Sequence, residues 1–304
     1  MTGLMEPWII LSVAAAAFQT LRFMLQKHLS MGALSTGGAT FARFVYSMPV
    51  VVTLVGVYLV LTGTALPEFS GRFWVFALSG GLSQILATWF VVALFRQRNF
   101  AVGITFKKTE VIQTALVGFV VLGDRISLPA LLAIALGLVG VLVLSDNLSG
   151  KGNWAQRMLN RAAGLGLASG VLFALSAVAY RGATLEIASA DALVRAGVTL
   201  AVVTTSQAVG MGLWLAWREG GEVGRVLGAW RTAIWMGITG MAGSLCWFTA
   251  FTLQSAAYVF AVGQIEVIFS LLASVMFFRE RIAAREMLGI GLLSASILGL
   301  ILIA

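Results

Sequence analysis

TEVIQTALVGFVVLGDRISL (Thr109–Leu128) lies over IEVIFSLLASVMFFRERIAA (Ile265–Ala284) at a constant offset of 156 residues. Glu110 falls on Glu266, Val111 on Val267, Ile112 on Ile268, Asp124 on Glu280, Arg125 on Arg281 and Ile126 on Ile282. With a small gap, ATFARF (Ala39–Phe44) falls on DALVRA (Asp191–Ala196), which puts Arg43 on Arg195. The chain therefore reads as two copies of one unit. The size of that unit follows from counting the apolar runs.

An α-helix rises about 1.5 Å per residue, so about 20 apolar residues cross a hydrocarbon core about 30 Å thick. Ten segments reach that length: 7–26, 37–61, 72–95, 100–122, 128–145, 162–181, 191–217, 231–253, 256–278 and 286–303. Their apolar character is continuous rather than alternating, which favours helices over barrel strands. The expected fold is an all-α integral membrane protein of ten transmembrane helices. It divides into five-helix repeats at 1–146 and 162–304, with a linking loop at 147–161. Because five is odd, the second copy must enter the membrane from the opposite side, so the repeats are inverted.

Composition agrees. Of 304 residues 60% are hydrophobic and 11% charged, against about a quarter charged in soluble domains. Soluble enzymes and disordered chains are excluded by that balance. The net charge of +8 is spread in ones and twos between apolar runs, so no nucleic-acid patch forms. Cys246 and His28 are the sole cysteine and histidine, which removes an intrachain disulfide and a Cys/His zinc site. No metal or cofactor is expected. The N-terminus, with Glu6 and Pro7 before the first run, lacks a basic leader, so that run reads as a retained span.

The connections after odd-numbered spans hold twelve basic residues: Lys27, Arg96, Arg98, Lys151, Arg157, Arg161, Arg218, Arg225, Arg231, Arg279, Arg281 and Arg285. Those after even-numbered spans hold Arg72, Arg125 and Arg181. The positive-inside rule then puts the odd connections in the cytoplasm and both termini outside, in a bacterial-type inner membrane. Arg22, near the inner end of the first span, agrees with this orientation.

LVGFVVLGDRISL with AIALGLVGVLVL after it, and SVMFFRERIAAREMLGIGLL in the second copy, resemble the doubled end of the EamA-type domain of the drug/metabolite transporter superfamily. Asp124 stands where that family usually has Glu, and Phe278 and Arg279 replace a Leu-Gly pair. The resemblance implies a ten-helix carrier, often an exporter of amino acids, other metabolites or drugs, with the third, fourth, eighth and ninth spans lining the cavity. Substrate identity does not travel with a fold.

Glu110 and Glu266 lie about ten residues into their spans and so near the bilayer midplane. An acidic residue there costs about 2.5 to 3.5 kcal/mol, which marks both as candidate proton- or substrate-binding groups. A carboxylate that only ties helices together is the structural alternative. Lys107 and Lys108 correspond to Gly263 and Gln264, so one copy alone supplies positive charge. Lys107 shares a face with Glu110 and can pair with it. Lys108 points elsewhere, either snorkelling to the boundary or joining the site. Gln84, Thr88, Trp89, Ser244, Trp247, Tyr258 and Gln264 are further candidates for the cavity wall. Arg43 and Arg195, about a turn inside their spans, read as interfacial anchors or gate residues, with the anchor favoured.

GLGLASG at Gly164 follows no strand, so a dinucleotide loop is rejected. Gly166 with Gly170, Ala133 with Gly137, and Gly291, Ala295 and Gly299 have the spacing of close helix packing. Gly237, Gly240 and Gly243 are candidates for bending. The expected function is secondary transport of a small polar metabolite, an amino acid or similar, in the export direction, by alternating access, with protons as candidate coupling ions. An exchanger or uptake carrier for organic anions such as sugar phosphates is the alternative, motivated by Lys107 and Lys108. An intramembrane enzyme lacks a nucleophile with its base. The lipid bilayer is the expected surrounding, and a monomer is compatible with the site.

Overall fold

The computed structural model of the protein describes residues 6–32, 34–95, 107–144, 161–269 and 284–303. The start of the fourth expected span, the end of the ninth, the linking loop up to residue 160 and the second Arg-Glu-Arg motif lie outside the described residues. Within them the chain is helical: α1 (Pro7–Met31), α2 (Thr36–Thr62), α3 (Gly71–Phe95), α4 (Glu110–Leu122), α5 (Leu128–Leu144), α6 (Arg161–Leu185), α7 (Ala192–Arg218), α8 (Glu222–Gly228), α9 (Trp230–Leu253), α10 (Ala256–Gly263) and α11 (Ala284–Ile303). Six of these, α1, α2, α3, α6, α7 and α9, are long and apolar enough to cross a membrane; shorter apolar helices cover 110–122, 128–143, 256–269 and 287–303.

Local chemistry sets the helix ends. Ser35 caps α2 by accepting from the Gly38 N–H at 2.9 Å, and Asp191 caps α7 by accepting from the Leu193 N–H at 2.7 Å. Gly123 ends α4 in the left-handed region at φ 71°, and its N–H and that of Asp124 return to the carbonyls of Phe119 and Gly118, each at 3.2 Å. Asp124 then meets Arg181 of α6 at 3.3 Å. The same arginine donates at 2.7 Å to the Phe251 and Gln254 carbonyls at the end of α9.

Three expectations shift. Helix α1 continues to Met31 rather than residue 26, because Gln26 reaches the Ala39 carbonyl at 3.1 Å and so is satisfied inside the bundle. Helix α6 starts at Arg161 and runs to Leu185. The short helix α8 was not expected; it begins after Gly221, whose φ of 83° needs a residue without Cβ.

A turn lies just before each of the paired glutamates. Helix α10 stops at Gly263, turns at Gln264 and resumes over 265–269, while a turn at 108–109 precedes α4. Both sites carry tight i to i+3 bonds: Ile112 N–H to Thr109 C=O at 3.1 Å and Val267 N–H to Gln264 C=O at 3.0 Å. The two turns stand one and two residues before Glu110 and Glu266.

Among the described residues the largest helix contacts are α3 with α6, α1 with α9, α5 with α11 and α2 with α7. Each joins the first half of the chain to the second. Glycines allow the closest approaches. A Cβ on Gly140 would lie 2.8 Å from the Leu293 backbone nitrogen, and one on Gly137 would meet Ser296, so the small-residue spacing on α5 serves packing against α11. Gly291 and Gly299 have no such close neighbour. Gly237, Gly240 and Gly243 face α2 and α1 along an unbroken α9, which makes them packing residues in this arrangement rather than bends.

Candidate functional site

Glu110 opens α4, and Glu266 lies three residues beyond the end of α10. Both are buried, at 4% and 9% exposure. Lys107 Nζ lies 2.9 Å from Glu110 Oε1, the pair that their spacing suggested. Aromatic faces help to hold this ammonium, with Phe173 at 4.9 Å and Phe23 at 5.7 Å. Lys108 does not snorkel. It is buried and crosses to the other half of the chain, where Nζ meets Glu266 Oε2 at 3.1 Å. Gln19 of α1 donates to the same oxygen at 2.8 Å, and Trp247 of α9 donates to Gln19 at 3.3 Å. Trp247 also packs on Phe251 and Phe260, which closes an aromatic wall over Gly263.

Beside Lys108 is a cavity of about 10 Å³ lined by Val111, Ile112, Gly137, Ala261, Gln264 and Ser296 among others. That is space for about one water molecule. Gln264 Oε1 and Glu110 Oε2 are buried without a hydrogen-bond partner. Such atoms are costly unless a water or solute meets them.

Arg43 is not an interfacial anchor. It is 5% exposed and donates to Thr88 Oγ1 of α3 at 3.2 Å and to Ser244 Oγ of α9 at 3.3 Å. The residues of α2 from Gly37 to Phe44 are all buried, so a position two turns into the helix is already enclosed. Arg195, its counterpart in the repeat, is half-buried near the start of α7 and donates to the Thr184 carbonyl at 2.9 Å. Nor does Arg22 mark the boundary: it is 2% exposed and donates to Gln26 at 2.9 Å.

Gln84 belongs to a second network. Its Oε1 accepts from Tyr180 and from Gln207, each at 3.0 Å, and Gln207 also donates to the Gly81 carbonyl at 2.9 Å. Gln207 and Gly81 of this network also line an apolar cavity of about 560 Å³ between α3 and α7, walled by Leu82, Leu86, Trp89, Phe90, Met211 and Trp214. Trp89 lies there, edge-on to Trp214 at 5.1 Å. Tyr258 packs in the main apolar core. Of the expected wall residues, then, Thr88, Ser244, Trp247 and Gln264 come to the charged cluster, while Gln84, Trp89 and Tyr258 do not.

Sequence reasoning missed the share of α1. Gln19, Arg22 and Gln26 repeat at i, i+3 and i+7, a polar stripe on one face of an otherwise apolar span. That periodicity was the available signal.

Residues 160–303 match the EamA-like transporter family. A protein known from its crystal structure shares the fold, with a TM-score of 0.73 at 15% identity over 98% of this chain and 97% of that one. No curated protein matches the chain in sequence. The second half of the chain is thus similar to an EamA-like transporter unit, and it is set in a fold that the solved structure shares over nearly all 304 residues.

Proposed function

We infer that the protein is a secondary carrier that moves a small polar metabolite by alternating access, with ten spans arranged as two inverted five-helix repeats. The observation that carries this reading is the Lys108–Glu266 pair, a buried ion pair that joins the two halves of the chain. The helix contacts support the inverted repeat: exchanging the halves carries α3 on α6 into α9 on α1, and α4 on α6 into α10 on α1. Carriers of this architecture bind solute at the interface of the repeats, where interrupted helices expose polar groups.

The two halves are also tied at both ends. At the end rich in basic residues, the Ser35 N–H donates to Glu222 and its hydroxyl to Glu219, each at 2.6 Å. At the other end Tyr58 donates to Asp191 at 2.7 Å and Ser70 to Glu186 at 2.9 Å. Rocking open toward either side breaks one set and keeps the other. The basic end faces the cytoplasm by the positive-inside rule, and the termini face outward. No Walker loop supplies ATP, so solute or proton gradients drive flux, with Glu110 and Glu266 as the proton-bearing groups.

Amino acid export is the preferred cargo and direction. Exchange of organic anions such as sugar phosphates is favoured by one observation: of the buried charges among the described residues, four cations, Arg22, Arg43, Lys107 and Lys108, stand with two carboxylates, Glu110 and Glu266, in the central cluster, while the third buried carboxylate, Glu222, lies apart beside Ser35. Purified protein in liposomes, loaded with amino acids or phosphorylated metabolites, tests both. Counterflow of amino acids that slows at least tenfold in Glu110→Gln, with a flattened pH profile, is the expected result. Counterflow of phosphorylated compounds alone transfers the assignment to the anion carrier, and unchanged flux and pH profile in both Glu variants removes the proposed proton role.

A further inference from the structure

Resting on the carrier reading, we propose that Arg22 and Arg43 form the subsite that grips the oxyanion of the transported solute, a carboxylate or a phosphate. The stems of the two side chains pass the same glycine. A Cβ on Gly240 of α9 would lie 3.3 Å from Arg22 Cδ and 3.5 Å from Arg43 Cγ, so glycine there leaves room for both. Each lysine of the central cluster has its own carboxylate in contact. The arginines have neutral partners: Gln26 for Arg22, Thr88 and Ser244 for Arg43. Glu266 acts on Arg22 through space and already holds Lys108.

Charge-assisted hydrogen bonds run to about 2.7–2.9 Å. The Arg43 bonds, at 3.2 and 3.3 Å, are slack by that standard. Phe23 lies 4.1 Å from the Arg22 guanidinium and Phe44 5.2 Å from that of Arg43, which offsets only part of the cost of burial. Two like charges side by side in a membrane interior call for a counter-charge. The guanidinium fork matches planar carboxylate and phosphate oxygens, which an ammonium does not. Arg22 and Arg43 come from the first half of the chain and Ser244 from the second, so an anion bound here is held from both sides of the rocking interface.

The test has two arms. In detergent, thermal unfolding of the full chain is followed in inorganic phosphate, acetate and chloride at matched ionic strength. Phosphate or acetate raises the unfolding temperature of wild type above chloride. Arg22→Gln and Arg43→Gln abolish the rise, and Arg43→Lys retains part of it. Where the Gln variants do not fold, Ser244→Ala serves: loss of one bond to a charged group weakens anion affinity about tenfold. In liposomes, counterflow is measured with amino acids, dicarboxylates, glucose 6-phosphate and putrescine. Flux of carboxylates or of the phosphate ester supports the proposal and identifies the source of the oxyanion. Flux of putrescine alone, with no anion-dependent rise, overturns the subsite and leaves the carrier standing. An anion-dependent rise that needs both arginines, with no solute moved, supports the subsite and overturns the carrier. An equal rise in wild type and Arg variants overturns the subsite.

Discussion

Glu266→Gln is expected to cost about 3–5 kcal/mol of stability and nearly all flux. Lys108 would lose its carboxylate while remaining buried, and Gln19 would lose a charged acceptor. The surplus of buried cations over carboxylates would rise at the same time. Removing both members of the pair should behave differently. Lys108→Met with Glu266→Gln leaves no uncompensated charge, so stability returns toward wild type while flux stays low, because the link between the halves is still missing. Unfolding temperatures of the two single variants and the double variant, with liposome flux for each, check this. A Glu266→Gln protein as stable as wild type would remove the ion pair from any structural account.

Gly237→Ala is expected to carry the second largest effect. The added methyl would lie 2.7 Å from the Tyr46 carbonyl carbon and 3.0 Å from its oxygen, and backbone atoms cannot rotate aside. Helices α2 and α9 must therefore separate, at about 1–3 kcal/mol. Ser47 bridges the same crossing by donating to the Gly237 carbonyl at 2.8 Å. Separation draws Ser244 out of reach of Arg43, so flux falls with stability. Gly291→Ala is the matched control. Nothing lies within 4 Å of its added Cβ, so it should leave both properties unchanged or gain slightly in stability from helix propensity. Unfolding temperature and flux for the two variants decide the matter.

The apolar runs made most of the helices legible, and the repeat singled out Glu110 and Glu266, both of which are buried. Spacing alone also gave Lys107 with Glu110, since both belong to one helical face. The Lys108–Glu266 contact was not readable, because helical periodicity reports which neighbours share an element and says nothing about which faces of distant elements meet. Arg43 was misjudged for a related reason. Its count from the helix start was right, but a short depth along the axis does not measure how many helices surround it. The turns at 108–109 and 264 left no mark either, as their residues are ordinary helix formers or, at Gly263, a glycine that also had a packing explanation under Trp247.

Lys107 and Lys108 stand in one copy where Gly263 and Gln264 stand in the other. A perfectly duplicated carrier would have two facing states related by symmetry and therefore of equal energy. Here two ammonium groups travel with one repeat and have no mirror image in its twin. On the carrier reading the degeneracy is lifted at the centre of the molecule, so the empty protein is expected to rest open to one side more than the other, with those two lysines among the differences that set the bias.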